Sequence, residues 1–305
     1  MNWFLVALIP PVLYAAGNYV DKVILSKQLK GSNVGNIVTF SCFLGALTLP
    51  IIYLIEENVL PASGATALIL ALNGALTVVA VLGYLYAIEH DDISAVVPIL
   101  QLTPVFGFMT GYVFLGEVLN ITQIIGSAIV IIGAVIISLE ITETGRISFK
   151  KKVLALAAGS AFVFSLSGTI FKYFALNEGY WRTQFWEYTG IALSGLILFV
   201  FVRSYRLSFI SMFKENRRTI IGLNIGAEAL MVGADLVMNF ATLLAPVALI
   251  YVVNSFQPVF VLILGIGLTL LFPTVIRESL SKKHLAQKVL TISIMVLGLL
   301  MLYRS

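Results

Sequence analysis

One apolar segment of the sequence, residues 218–243, carries polar side chains whose spacing could support chemistry. They recur at intervals of four, seven, four and three residues, at Asn224, Glu228, Asp235, Asn239 and Thr242. In an α-helix these intervals place side chains on one face. Glu228 and Asp235 are separated by roughly 10 Å along the helix axis, from the rise per residue. Such a face could bind a cation, a hydrogen-bond donor or a proton.

Carboxyl groups in an apolar segment of this length need a physical reason. A carboxyl at the centre of a bilayer costs at least about 2.5 kcal/mol, so it usually faces a bundle interior or a water-filled cavity. The face is therefore predicted to line a substrate or proton pathway. The alternative interpretation is a structural polar seam that holds this helix to its neighbours.

The whole chain has the composition of a membrane protein. It has 305 residues, of which 59% are hydrophobic and 11% charged, whereas soluble domains carry about 25% charged residues. The mean hydropathy is +1.01. The sequence predicts an all-α integral membrane protein with ten transmembrane helices. We number the predicted helices 1 to 10 and place them near residues 3–25, 34–55, 65–89, 94–115, 122–141, 152–175, 182–203, 218–243, 247–271 and 285–303.

Short internal echoes predict two related halves, residues 1–145 and 146–305. "QLTPVF" (101–106) is echoed by "SFQPVF" (255–260), and the segment that begins at Asn73 is echoed by the one that begins at Asn224. Five helices per copy would place the two halves in opposite orientations. Inverted repeats are common in secondary transporters, with the substrate site at the repeat interface.

Helix 3 is the predicted counterpart of helix 8. Its Asn73, Thr77 and Tyr84 correspond to Asn224, Glu228 and Asp235. A cavity between the halves would then have one acidic wall and one hydroxyl and aromatic wall, which favours a cationic or donor-rich solute. Asn18 of helix 1 is a further neutral candidate for this pathway.

Prolines are predicted to interrupt helices 4 and 9. Pro104 and Pro258 occupy equivalent places in the two halves, and proline frees backbone carbonyls by breaking the helical ladder. Gln101 and Gln257 stand next to these prolines. We expect the two amides to satisfy the freed groups or to contact a solute.

Charged residues near helix ends form a second group of candidates. Asp21 and Lys22 lie near the end of helix 1, where they form either an interfacial pair or the mouth of a pathway. Lys172 and Glu187 are placed near the outer ends of helices 6 and 7. We expect them to pair across the hairpin or to anchor at the interface, with gating or solute binding as the alternative.

The basic residues predict an orientation. Fifteen of the nineteen Lys and Arg fall on the side of the odd-numbered connections and two, Arg182 and Arg304, on the other. The positive-inside rule then places both termini outside, in a multi-pass protein of the plasma (inner) membrane.

Motifs of several other protein classes do not occur in the sequence. It contains no GxxxxGK[ST], HExxH or GxSxG, so neither nucleotide hydrolysis by that loop nor these hydrolytic reactions are expected. The "EHDD" run (89–92) is interpreted as a solvated acidic loop rather than a metal site. No enzyme activity, cofactor, metal or nucleic-acid partner is predicted. The expected partners are a small-molecule solute, the lipid bilayer and, as a candidate coupling ion, protons.

The block "SAVVPILQLTPVFGFMTGYVFLGEVLNITQIIGSAIVIIGAVIIS" (94–138), with its weaker copy from residue 248, resembles the EamA-like branch of the drug/metabolite transporter superfamily. The Gly116–Glu117 turn resembles that family's repeat ending. The resemblance implies a secondary transporter of a small polar or amphipathic metabolite that works by alternating access. Small four-helix relatives carry a proton-coupling acid in their first helix, where this chain has Tyr14 and Asn18, so that role is not transferred. The alternative is a non-transporting membrane scaffold or sensor.

Overall fold

The computed structural model of the protein describes residues 2–28, 34–61, 63–90, 93–138, 151–215, 218–271 and 282–304. Every regular element in these ranges is helical. In chain order the helices are α1 (Trp3–Ala7), α2 (Ile9–Gln28), α3 (Val34–Ala46), α4 (Thr48–Ile55), α5 (Gly64–His90), α6 (Ile93–Leu100), α7 (Thr103–Thr110), a π-helical turn (Gly111–Leu115), α8 (Ile121–Ser138), α9 (Lys151–Glu178), α10 (Tyr180–Phe201), α11 (Arg203–Glu215), α12 (Arg218–Thr242), α13 (Val247–Asn254), α14 (Gln257–Leu271) and α15 (Lys282–Arg304).

The helices are those of an integral multi-pass membrane protein. Eight segments within the described residues are long and apolar enough to cross a membrane: Trp3–Val20, Ile37–Ile55, Gly64–His90, Val96–Leu115, Lys151–Glu178, Tyr180–Phe201, Ile221–Thr242 and Val247–Leu268. Two shorter apolar helices, Ile121–Ile136 and Val289–Arg304, lie where helices 5 and 10 are predicted. Ten spans therefore remain a prediction.

The predicted interruptions of helices 4 and 9 are confirmed. Helix α6 ends at Leu100 and α7 begins at Thr103, with Pro104 in its first turn. Helix α13 ends at Asn254, and α14 begins at Gln257 with Pro258 as its second residue. Proline cannot donate a backbone hydrogen bond to the preceding turn, so the ladder stops in front of each one.

Helix α11 lies in a connection where the sequence analysis predicted no helix. It packs against α3 and α10. Phe209 forms edge-to-face contacts with Phe43 and Phe199, at ring-centroid distances of 5.3 and 5.6 Å. The arginines and polar residues between its apolar positions lower the mean hydropathy, which hides the helix from a search for transmembrane spans. Such an amphipathic helix suits a membrane interface.

Two glycines bring α5 and α10 into backbone contact. A Cβ atom at Gly190 would lie 1.9 Å from the carbonyl oxygen of Ala71, and one at Gly74 would lie 2.0 Å from the carbonyl oxygen of Glu187. No side chain fits at either place. This close approach puts Asn73 of α5 directly beside Glu187 of α10.

Candidate functional site

Glu187 is the centre of a polar cluster that joins three helices. Its side chain is buried, with 5% exposure. The Nδ2 atom of Asn73 in α5 donates to Oε1 at 3.1 Å, and that of Asn239 in α12 donates to Oε2 at 3.1 Å. Asn73 also donates to the carbonyl oxygen of Ser167 in α9, at 3.2 Å. One carboxyl group therefore organises the meeting of α5, α10 and α12.

Asp235 is the second carboxyl group of this region, and it lies one turn before Asn239 on α12. The hydroxyl of Tyr14 in α2 donates to its Oδ1 atom. This hydrogen bond places the Asp235 side chain on the face of α12 that packs against α2. Asp235 is nevertheless exposed. Its exposure indicates an open space inside the bundle.

A second polar face, on α10, lies opposite the α12 face. Tyr180, Gln184, Glu187 and Tyr188 recur at intervals of four, three and one residues, which places them together on a helix. Gln184 accepts from Asn239 Nδ2 at 3.1 Å, and the Tyr180 hydroxyl donates to the Leu236 carbonyl at 2.6 Å. The spacing test that identified the α12 face would also have found this one.

Neither carboxyl group of the region is matched by a basic side chain. Among the residues that the structure describes, no Lys, Arg or His forms an ion pair with Glu187 or Asp235. Within the described ranges, the buried Tyr188 hydroxyl and the Oδ1 atom of Asn73 also have no hydrogen-bond partner. Buried polar atoms of folded proteins are nearly always hydrogen-bonded, to protein, water or ligand. The region thus offers unmatched charge and free hydrogen-bonding capacity.

Glu228 shares the predicted face of α12 but contacts a different helix. The hydroxyl of Ser41 in α3 donates to its Oε2 atom at 2.9 Å. Glu228 lies two turns before Asp235, and Asn224 lies one turn further, partly exposed. The structure therefore extends the α12 face from the Glu187 cluster towards α3.

The remaining pathway candidates do not contact the two carboxyl groups. Asn18 is exposed on α2, one turn after Tyr14. Tyr84 packs against an apolar cluster that includes Val96 and Val153. Gln101 is buried at the break between α6 and α7, and Gln257 begins α14. Within the described part of the chain, none of these four residues hydrogen-bonds to Glu187 or Asp235.

The predicted pairing of Lys172 with Glu187 is wrong, because each of these two buried side chains has other partners; their placement at the membrane interface stays a prediction. Lys172 Nζ lies 2.7 Å from Oε1 of Glu117 and donates to the Ala245 carbonyl at 2.8 Å. Oε2 of Glu117 accepts the backbone N–H of Val247 at 2.9 Å. Helix α9 directs Lys172 towards the turn after the π-helix, whereas α10 directs Glu187 towards α5 and α12.

Several predicted residues lie outside what the structure describes. The backbone of Asp21 and Lys22 belongs to α2, but their side chains lie outside the described residues, so their role at a pathway mouth stays a prediction. Asp91 and Asp92 of the acidic run are likewise outside. His90 of that run has its Nε2 atom 2.8 Å from Lys152 Nζ. No group of three metal-ligating side chains occurs within the ranges that could be searched.

The fold and site define a helical membrane protein with a polar centre, and comparison with known proteins finds a family that matches the first part of the chain. Residues 1–139 match the EamA-like transporter family, which belongs to the drug/metabolite transporter superfamily. The resemblance stated above is confirmed over these residues. The family is one of membrane transporters of small solutes.

Two further similarities cover different shares of the chain. An uncharacterized protein of Methanocaldococcus jannaschii is 27% identical over 137 residues, which make up 45% of this chain and 96% of that protein. A crystal structure of another protein superposes with a TM-score of 0.68 at 15% identity, over 98% of this chain and 97% of that one. At this identity the second similarity shows a shared fold alone.

Proposed function

We propose that the protein is a secondary transporter that moves a small polar or amphipathic solute across the membrane by alternating access. The observation that carries the proposal is the exposed Asp235 inside the bundle, one turn from the Asn239 amide that contacts Glu187. A solvent-accessible carboxyl group at membrane depth is typical of a substrate or ion pathway. A scaffold or sensor would have no need of unmatched carboxyl groups there.

The helix contacts support two inverted repeats, residues 1–145 and 146–305, with the site between them. Helix α2 packs on α12 and α14, and its counterpart α9 packs on α5 and α7. The first helix of each half thus lies against the third and fourth helices of the other half. The half-length archaeal relative also fits a protein built from two similar units. Tyr14 and Asn73 would come from one repeat and Glu187, Asp235 and Asn239 from the other.

Alternating access would involve the hydrogen bonds that connect α10 and α12. Side-chain amides and one phenol connect these helices, at distances of 2.6–3.1 Å. Hydrogen bonds of this kind contribute only about 1 kcal/mol each, because water or a polar solute can replace them. The breaks in helices 4 and 9 would let the ends of α7 and α14 move without unwinding a whole helix.

Proton coupling would use Asp235 or Glu187. A carboxyl group that has no basic partner can hold a proton when the solute is absent and release it when a cationic group arrives. The site would then stay neutral in both states, which avoids an unmatched charge at membrane depth. The basic connections favour cytoplasmic loops on the odd-numbered side, with both termini outside the plasma membrane.

The proposal is tested with purified protein and a metabolite library. A solute that binds the folded state raises its melting temperature by mass action, and the stabilising compounds are then assayed for uptake into proteoliposomes. We expect uptake in wild type and in Glu57→Gln, which changes an exposed carboxyl, and loss of uptake in Asp235→Asn. Unaltered uptake in Asp235→Asn would remove this residue from the site. Absence of binding and flux for every compound would favour the scaffold or sensor.

A further inference from the structure

We infer that the space between α10 and α12 holds the cationic nitrogen of an organic amine, with Asp235 and Glu187 as counter-ions and Tyr188 as a hydrogen-bond partner. The inference rests on the proposed transport function and names the class of solute. Three independent properties of the described residues carry it: charge, an unsatisfied buried hydroxyl, and the aromatic surroundings.

The first property is a carboxyl group on each side of one space, neither of which has a basic partner among the described residues. Asp235 and Asn239 are one turn apart on α12, roughly 6 Å along the axis. Asn239 in turn lies 3.1 Å from the carboxylate of Glu187. The partners that the structure gives these carboxyl groups are all neutral donors: Tyr14 for Asp235, and Asn73, Asn239 and Thr77 for Glu187. A ligand cation would supply the charge that the protein does not.

The second property is a buried hydroxyl that has no partner. Tyr188 directly follows Glu187 on α10 and is only 3% exposed, yet its hydroxyl makes no hydrogen bond. Tyr188 belongs to the polar face of α10 that also carries Glu187, and its hydroxyl lies close enough to Asp235 and Glu187 to be affected by both carboxyl groups. A buried phenol normally finds a partner. Its oxygen can accept an N–H of an ammonium group.

The third property is the aromatic surroundings, which, together with the small number of free oxygen ligands, favour an organic amine over a metal ion. Divalent ions such as Mg²⁺ and Ca²⁺ require about six or more oxygen ligands, and the described residues contain no metal-ligating group of three. Both oxygens of Glu187 already accept amide N–H groups, and Asp235 accepts the Tyr14 hydroxyl, so few free oxygen ligands are left to complete the shell of a metal ion. Tyrosine side chains of α2 and α10 lie beside Asp235: Tyr14 donates to its carboxyl group, and Tyr180 donates to the carbonyl of the next residue, Leu236. Aromatic faces attract ammonium groups.

The test uses three probes of one shape and different charge: benzylamine, benzyl alcohol and benzoate, added to the full-length protein in lipid nanodiscs. We expect benzylamine to raise the melting temperature and the other two to have no effect. Asp235→Asn and Glu187→Gln should each weaken benzylamine binding by ~10-fold or more. Tyr188→Phe, which keeps the ring, should weaken it by roughly 3–10-fold. The Glu57→Gln variant is the control for the carboxyl substitutions.

The outcomes separate this inference from the transport proposal. Stabilisation and uptake of a neutral or anionic library compound, without any effect of benzylamine or other amines, would overturn the inference and leave the transporter intact. Stabilisation by sodium chloride that benzylamine cannot displace would identify an inorganic cation and overturn it as well. Absence of binding and flux for every compound would overturn both. Because Tyr188→Phe preserves the fold more readily than the carboxyl variants, its unchanged affinity would by itself contradict the role of the hydroxyl.

Discussion

Two carboxyl groups inside the helical bundle have different kinds of partner: one pairs with a charged side chain, and the other accepts hydrogen bonds from neutral amides. Glu117, after the π-helical turn, has the ammonium group of Lys172 at 2.7 Å and the N–H of Val247 at 2.9 Å. Glu187, in α10, has two neutral amides at 3.1 Å each. Both groups are removed from water to a similar degree. Only the first has a basic partner among the residues that the structure describes.

The difference separates a structural role from a functional one. The ion pair of Glu117 and Lys172 joins α9 to the start of α13, and removal of one partner would leave a buried charge. Glu187 and the nearby Asp235 are held in position by donors that leave the negative charge unmatched. A protein that binds no cation would gain stability by neutralising such groups. Substitutions at the two carboxyl groups and their partners should therefore differ in their effect on stability.

Lys172→Met should have the largest effect. Breaking a buried ion pair by removing one partner destabilises a protein by about 3–5 kcal/mol, so the melting temperature of the purified protein should fall sharply. The double variant Lys172→Met with Glu117→Gln should recover part of the loss, because no charge is then left alone. A single variant that melts like wild type would show that the pair is not structural.

Gly190→Ala should disturb the close packing of α10 against α5, which places Asn73 beside Glu187. The added methyl group would meet the carbonyl oxygen of Ala71, and overpacking of this kind costs about 1–3 kcal/mol. The control is Gly222→Ala, where no atom lies within 4 Å and the higher helix propensity of alanine favours the variant. Equal melting temperatures for the two variants would contradict the close contact of α5 and α10.

Tyr14→Phe should have a moderate effect. It removes one hydrogen bond to Asp235 and should cost about 1 kcal/mol. Tyr53→Phe, at an exposed position, is the matched control and should melt like wild type. Solute affinity should fall only in the Tyr14 variant. An unchanged affinity there would exclude Tyr14 from orienting Asp235.

Glu187→Gln should have the smallest effect on stability, within about 1 kcal/mol of wild type. The substitution loses one amide hydrogen bond but also removes an unmatched charge. Its melting temperature should therefore stay close to that of wild type, in contrast to Lys172→Met. A loss as large as that of Lys172→Met would mean that Glu187 is structural too.

Local spacing predicted part of this site, and tertiary contacts determined the rest. The α12 face was identified because Asp235 and Asn239 share a helical period. Glu187 was assigned to the interface because it follows the start of a span closely, although α10 carries an equally regular polar face. The partner of Lys172 could not be predicted, since Glu117 lies in a turn 55 residues earlier in the sequence.

For the fold too, local sequence signals predicted one part, and tertiary packing determined the other. Proline and hydropathy predicted the helix breaks and most spans, because both act within one helix. The amphipathic α11 escaped prediction because its stability comes from packing on α3 and α10 rather than from its own apolar length.

The most direct test of the unmatched carboxyl groups is solute uptake by proteoliposomes that contain wild type, Asp235→Asn or Glu57→Gln. Loss of a desolvated charge contact costs about 2 kcal/mol or more, so uptake by Asp235→Asn should fall at least ~30-fold while its melting temperature stays near that of wild type. Glu57→Gln should transport normally. Full uptake by a folded Asp235→Asn protein would contradict the central claim that this carboxyl group binds the transported solute or its coupling proton.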